Sequence, residues 1–71
     1  MQKLFESLES AGHPVEWSGH DLISLETVAA DFSIGKSKTS DWYGITKTES
    51  GKQPEFYAAK TIEKVFEIIE K

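Results

Sequence analysis

The side chains best equipped for chemistry in this chain are two imidazoles, His13 and His20, each with a carboxylate nearby in sequence, Glu16 and Asp21. Two histidines and a carboxylate form a zinc ligand set, and a histidine can serve as a general base. Both histidines flank turns, however, His13 before Pro14 and His20 after Gly19, and they are read as loop residues facing water. Glu63, Glu67 and Glu70 lie along one side of the last segment, where paired carboxylates could do acid–base work if one were buried. Lysines interleave with them, and Glu67 precedes Lys71 in the favourable i, i+4 order, so a solvated helix face is expected. Gly35-Lys36-Ser37 matches the end of a phosphate-binding loop, but the position five residues before Gly35 is Ala30 rather than glycine. Ser37, Thr39 and Ser40 offer hydroxyls with no histidine close in sequence to activate one. No catalytic residue, metal ligand or cofactor emerges, and the expectation is a protein that is not an enzyme.

The next candidates are cationic. Lys36, Lys38, Lys47 and Lys52 make the centre locally basic within a chain of net charge −4, which has twelve carboxylates, eight lysines and no arginine. Arginine is the usual reader of phosphates and guanine edges, and phosphate neutralisation supplies most nucleic-acid affinity. An acidic, arginine-free chain is therefore a poor general nucleic-acid binder. Lysines in loops and on edge strands also keep a sheet soluble and discourage edge pairing.

The aromatic residues carry more information. Trp42-Tyr43 and Phe56-Tyr57 are adjacent pairs, and on a strand the two members of a pair face opposite ways. One of each must leave the core, and exposed aromatics are common anchors of binding surfaces. The sequence leaves open which member of each pair is exposed, or whether they cluster together.

These residues need a scaffold, and the bulk properties bound it. Seventy-one residues, 38% hydrophobic and 28% charged, suit one small globular domain with a thin core. The chain has no cysteine and hence no disulfide framework or thiolate zinc site, which favours a reducing, cytoplasmic setting. Neither the start, Met1 to Glu6, nor any later apolar run has the length of a signal peptide or a membrane span, so no membrane partner is expected.

Leu4, Phe5, Leu8 and Ala11 fall at helical spacing, closed by Gly12 and Pro14, and predict an N-terminal helix. Ile62, Val65, Phe66 and Ile69 predict a second helix, with Thr61 as N-cap and Glu55 to Lys60 as a strand before it. Between them, Val15 and Trp17 alternate with polar residues, as do Val28, Ala30, Phe32 and Ile34, and Asp41 to Lys47 is rich in strand formers. Gly35 to Lys38 reads as a loop. The fold expected is α+β: an N-terminal helix, an antiparallel meander of three or four strands, and a C-terminal helix packed on one sheet face.

A second reading of the middle is helical. Ser24 to Thr27 can open a helix with Leu25, Val28, Ala29 and Phe32 on its apolar face, and another helix can begin near Ser37 and include Trp42. In that register, Val28 to Trp42 resembles a helix-turn-helix, with Ala29 at the helix crossing and Phe32, Ile34 and Trp42 at core positions. Ser33 departs from the glycine usual at the turn, and Thr39 from an apolar core residue. The resemblance implies an all-α fold with the motif at about residues 24–43. It further implies DNA binding through Lys36, Ser37, Lys38, Thr39 and Ser40.

The leading functional expectation is a non-catalytic interaction module of the accessory or inhibitor type. It would bind a protein partner through an open sheet face or an edge strand, as monomer or homodimer. Trp42, Tyr43, Tyr57, Lys36 and Lys38 are its candidate contacts, and nucleic acid is a partner only in the helix-turn-helix reading.

Overall fold

The computed structural model describes residues 1–36 and 41–70. Helix α1 spans Gln2–Ser10 and buries Leu4 and Leu8, one turn apart, completely. Its C-terminus closes in a Schellman motif. The Gly12 N–H donates to the Glu9 carbonyl at 3.0 Å, and the His13 N–H donates to the Leu8 carbonyl at 3.1 Å. That geometry requires the positive φ of Gly12, +90°, so glycine is the residue that turns the chain into the sheet.

Five strands follow: β1 Val15–Gly19, β2 Leu22–Glu26, β3 Asp31–Lys36, β4 Tyr43–Thr48 and β5 Glu55–Ala59. They form one antiparallel sheet in sequence order, β1-β2-β3-β4-β5. Helix α2, Ile62–Ile69, ends the described fold. The α+β architecture agrees with the sequence reading, with one strand more than the three or four expected.

Local chemistry sets each turn. His20-Asp21 links β1 to β2, with Asp21 at φ 58°, a left-handed conformation that aspartate tolerates. Between β2 and β3, Thr27 closes the loop. Its N–H and hydroxyl both donate to the Ala30 carbonyl, at 2.8 and 2.9 Å, and its Oγ1 accepts from the Ala30 N–H at 3.0 Å. Val28 stands at the tip, fully exposed. The alternation read from Val28 therefore becomes a strand only at Asp31, because Thr27 holds residues 27–30 as a turn. At the β4–β5 turn Gly51 takes φ 78°, and Glu49 receives Lys47 and Lys52, each at 3.1 Å.

The helix-turn-helix reading is overturned. Residues 22–36 form the β2–β3 hairpin, with Ile23 opposite Ile34 and Leu25 opposite Phe32, and Tyr43–Thr48 is a strand. Ile23, Leu25, Phe32 and Ile34 are all at most 3% exposed, so period-two burial, not helical burial, is what their spacing achieves. Ala29, the expected helix-crossing residue, lies exposed in the turn. Of the proposed DNA-reading residues, Lys36 ends β3, while Ser37, Lys38, Thr39 and Ser40 lie outside the described residues. Gly35 and Lys36, expected in a loop, belong to β3 because the strand pairing runs on to Tyr43.

Both helices cover the same face of the sheet. Leu4 and Leu8 from α1, and Val65 and Ile69 from α2, join Ile23, Leu25, Phe32, Ile34, Ile45 and Ala59 in one core. Helix α1 packs toward β1, where Phe5 stacks on Trp17 with ring centroids 4.7 Å apart, and α2 packs toward β5. The helix ends meet at His13, whose ring lies 5.9 Å from that of Phe66 and whose Nε2 lies 3.4 Å from Glu70 Oε2. Thr61 caps α2 as expected, its Oγ1 accepting from the Lys64 N–H at 3.1 Å. No polar side chain is buried among the described residues, so the core is purely apolar.

Candidate interaction surface

The pairing register sorts every strand residue onto one face. The row Trp17, Ile23, Ile34, Ile45, Tyr57 runs under the helices, as does the row Val15, Leu25, Phe32, Lys47, Glu55. The uncovered face carries the alternate rows: Leu22, Gly35, Gly44, Ala58, and beside it Glu16, Ser24, Ser33, Thr46, Phe56.

That open face is not uniform. Toward β1 it is polar, with Glu16, Ser18, Ser24 and Ser33, and the hydroxyls of Ser18 and Ser24 hydrogen-bond to each other. Around the first row it is apolar. Phe56 is 77% exposed and Trp42 and Leu22 are each about two-fifths exposed, and the three form a contiguous apolar set on this part of the surface. They wall a trough of about 670 Å³ whose floor is the Gly35–Gly44 pair. Leu22 and the His20-Asp21 turn stand on one side, Phe56 and Ala58 on the other, and Trp42 at the end. Lys60 Nζ lies 4.9 Å from the Trp42 ring centroid, a cation–π contact.

Among the described residues, nothing in the fold requires glycine at either position of the pair. Neither residue has positive φ. A Cβ on Gly44 would meet nothing closer than the Gly35 carbonyl oxygen at 3.9 Å. One on Gly35 would meet nothing closer than Leu22 Cδ1 at 3.5 Å. Both are ordinary contacts, yet glycine inside a strand weakens it by about 0.5–1 kcal/mol relative to alanine. Facing glycines on the two central positions of an open face leave backbone bare for a close approach.

The residues singled out from sequence divide between the faces. Trp42 lines the trough, and Lys36, Tyr43 and Tyr57 also border it. Tyr43 pairs with Ala59 and packs against the core, so its ring belongs to the helix-covered side. Lys36 lies opposite Tyr43, with its Nζ 5.9 Å from that ring centroid. Tyr57 lies opposite Ile45, also on the helix side, and its hydroxyl donates to Glu55 Oε2 at 3.2 Å. Lys38 falls outside the described residues. Sequence reasoning passed over Phe56 as the outward member of its pair, and it missed Leu22 and the glycine floor. The period-two phase of Phe56 against Ala59 was the available signal for the first.

The potential catalytic groups stay apart. His20 is almost fully exposed, and its Nε2 lies 4.0 Å from Asp21 Oδ2. His13, expected to face water, is instead mostly covered, with its side chain 19% exposed between Phe66 and Glu70. No group of three or more His, Asp or Glu side chains placed to hold a metal ion occurs among the described residues. Nor is any helix among them long and apolar enough to cross a membrane. Comparison with protein-family models, with curated proteins and with solved structures gave no match.

Proposed function

We propose that this domain is a non-catalytic protein-interaction module working in the reducing cytoplasm. It takes an apolar segment of a protein partner on the open sheet face, in the trough between Leu22 and Phe56. The observation that supports this reading is the Gly35–Gly44 pair, a stability cost on neighbouring strands that a close-fitting ligand would offset. Trp42 and Phe56 supply rigid aromatic walls, the side-chain type that concentrates binding energy at the centre of interfaces. His20, Asp21, Ser33 and Thr46 at the trough's border form a polar rim. A protein segment suits this chemistry better than a nucleic acid, because the chain has net charge −4 and no arginine.

The test uses a displayed library of random peptides selected on the intact chain. Peptides rich in aromatic or aliphatic residues should emerge and shift the amide resonances of Leu22, Gly35, Gly44 and Phe56. Gly44→Thr and Phe56→Ser should each weaken them at least about tenfold, equivalent to about 1.4 kcal/mol. Peptides that bind both variants as tightly as the native chain would overturn the proposal.

A further inference from the structure

The open face continues past the trough, and its far end is acidic. Strand register sets Glu26 directly opposite Asp31 on that face, next to the Ser24–Ser33 pair, and Glu16 opposite Ser24. All three carboxylates are exposed, and Glu16 and Glu26 border one recess of about 180 Å³ beside Ser24. Like charges directly opposite each other destabilise a sheet. None of the three makes an ion pair among the described residues. The register sends the strand lysines, Lys36 and Lys47, to the other face. Lys47 and Lys52, which flank this end at the β4–β5 turn, are both held by Glu49 at 3.1 Å.

The other end of the trough is balanced. Lys60 lies over Trp42 and Lys36 borders the trough, while Asp21 also lines it and Asp41 precedes Trp42 in the chain. Between the two ends the trough follows β3 and β4, from Trp42 over the Gly35–Gly44 pair to Ser33 and Thr46. Asp31 is the next residue of that row, about 13 Å from Gly35 along an extended strand.

We propose that the partner segment is cationic at one end. An aromatic or aliphatic stretch lies over the glycine floor, and lysine or arginine about four residues further on lies over Glu26 and Asp31. This inference rests on the protein-binding reading of the trough and adds the partner's charge and direction. The occupant is argued from charge complementarity: a cationic flank relieves the repulsion that the chain itself leaves between Glu26 and Asp31, and Glu16 gives a second cation a place beside them. The reverse placement would bring the segment's cations to the end where Lys36 and Lys60 already stand, so the charges also fix which way it runs.

The peptides selected from the random library on the native chain are the probes. They should carry lysine or arginine on one side of the apolar core, and their dissociation constants should rise at least about threefold between about 50 and about 500 mM salt. Glu26→Lys should weaken them at least about threefold. Because that substitution sets opposite charges across the hairpin, thermal unfolding should hold or rise while binding falls, an outcome that a fold defect would not give. Glu9→Gln, on the exposed side of α1, should leave binding unchanged. Peptides that need Gly44 and Phe56 but carry no cationic flank, or that bind the Glu26→Lys chain as tightly as the native one, would overturn this inference and leave the trough reading standing. An equal loss with Glu9→Gln would reduce the effect to net charge and overturn it as well. An empty selection, or peptides indifferent to Gly44→Thr and Phe56→Ser, would remove the trough reading and this inference with it.

Discussion

Gly35 and Gly44 lie directly opposite each other on β3 and β4, the central pair on the uncovered face of the sheet. Their flanks are Leu22 on β2 and Ala58 on β5, so a four-residue row crosses the sheet with almost no side chain at its centre. The space above is open and the backbone is ordinary strand, which makes the outcome of filling it calculable. Gly44→Thr should stabilise the domain by about 0.5–1 kcal/mol, since threonine favours a strand and loses less chain entropy on folding. Thermal unfolding should then move up by a few degrees, at about 4–8 °C per kcal/mol for a domain of this size. The same substitution should weaken peptide binding at least about tenfold. Stability and binding moving in opposite directions is the signature expected of a residue kept for contact rather than for folding; a fall in both would place the glycine's role in the fold.

Phe56 and Ile45 sit on neighbouring strands but on opposite faces, and their substitution should separate cleanly. Ile45 is 1% exposed in the middle of the core, so Ile45→Ala should cost about 2–5 kcal/mol through lost burial and a residual cavity. Phe56 is mostly in water, and Phe56→Ser should change stability by no more than about 0.5 kcal/mol. Urea denaturation of the two variants measures both. A large loss at Phe56 would mean that the open face is covered by the chain itself.

Glu49 holds the β4–β5 turn through two lysines, and the pair of contacts makes stability depend on pH. Its carboxyl is held below the ordinary glutamate range, first by the hydrogen bond from Lys52 and then by the one from Lys47. A carboxyl depressed in the folded state contributes stability that is present above its unfolded pKa of about 4.3 and is lost as pH falls through the lower, folded value. Lys47 moves the other way. The hydrogen bond to Glu49 raises its pKa, so its contribution is complete below the unfolded lysine value and disappears only as pH rises through the raised one. The denaturation midpoint should therefore fall on acidification from neutral pH to about pH 3, and Glu49→Gln should flatten that slope. An unchanged slope in the variant would remove this turn from the titration.

Much of this fold was legible in local pattern, and the reasons for the failures are physical. Leu4 with Leu8, and Ile62 through Ile69, gave helices because a 3.6-residue period has one meaning over two turns or more. Phe32 and Ile34 entered both competing readings as core residues, since two apolar positions two apart suit a strand as well as one edge of a helix. What decided between them was non-local: Leu25 opposite Phe32 and Ile34 opposite Ile45 bury together only in a sheet. The candidate surface was less legible. Trp42 was found as an aromatic pair member, but whether Phe56 or Tyr57 faces outward depends on the strand's phase, which Ala59 fixes by its burial against the core. The opposition of Gly35 and Gly44 is a register fact, and each glycine alone looks like a loop or a poor helix former.

Thr61 offers the sharpest test of the C-terminal half, because one hydroxyl carries a defined task. Its Oγ1 accepts the Lys64 N–H at 3.1 Å, satisfying one of the backbone donors left free at the start of α2, and Glu63 adds a favourable charge in the first turn. Helix α2 is only eight residues long and has little stability of its own, so it depends on this cap and on Val65 and Ile69 beneath it. Thr61→Ala should cost about 1 kcal/mol, and Thr61→Ser or Thr61→Asp should recover most of it, since each restores an acceptor at the same place. Hydrogen exchange should accelerate selectively at the amides of residues 64–66 in the alanine variant, while the β2–β3 amides keep their protection. Uniform acceleration across the chain would instead mean that α2 and the sheet unfold as one unit, with the cap acting on global stability alone.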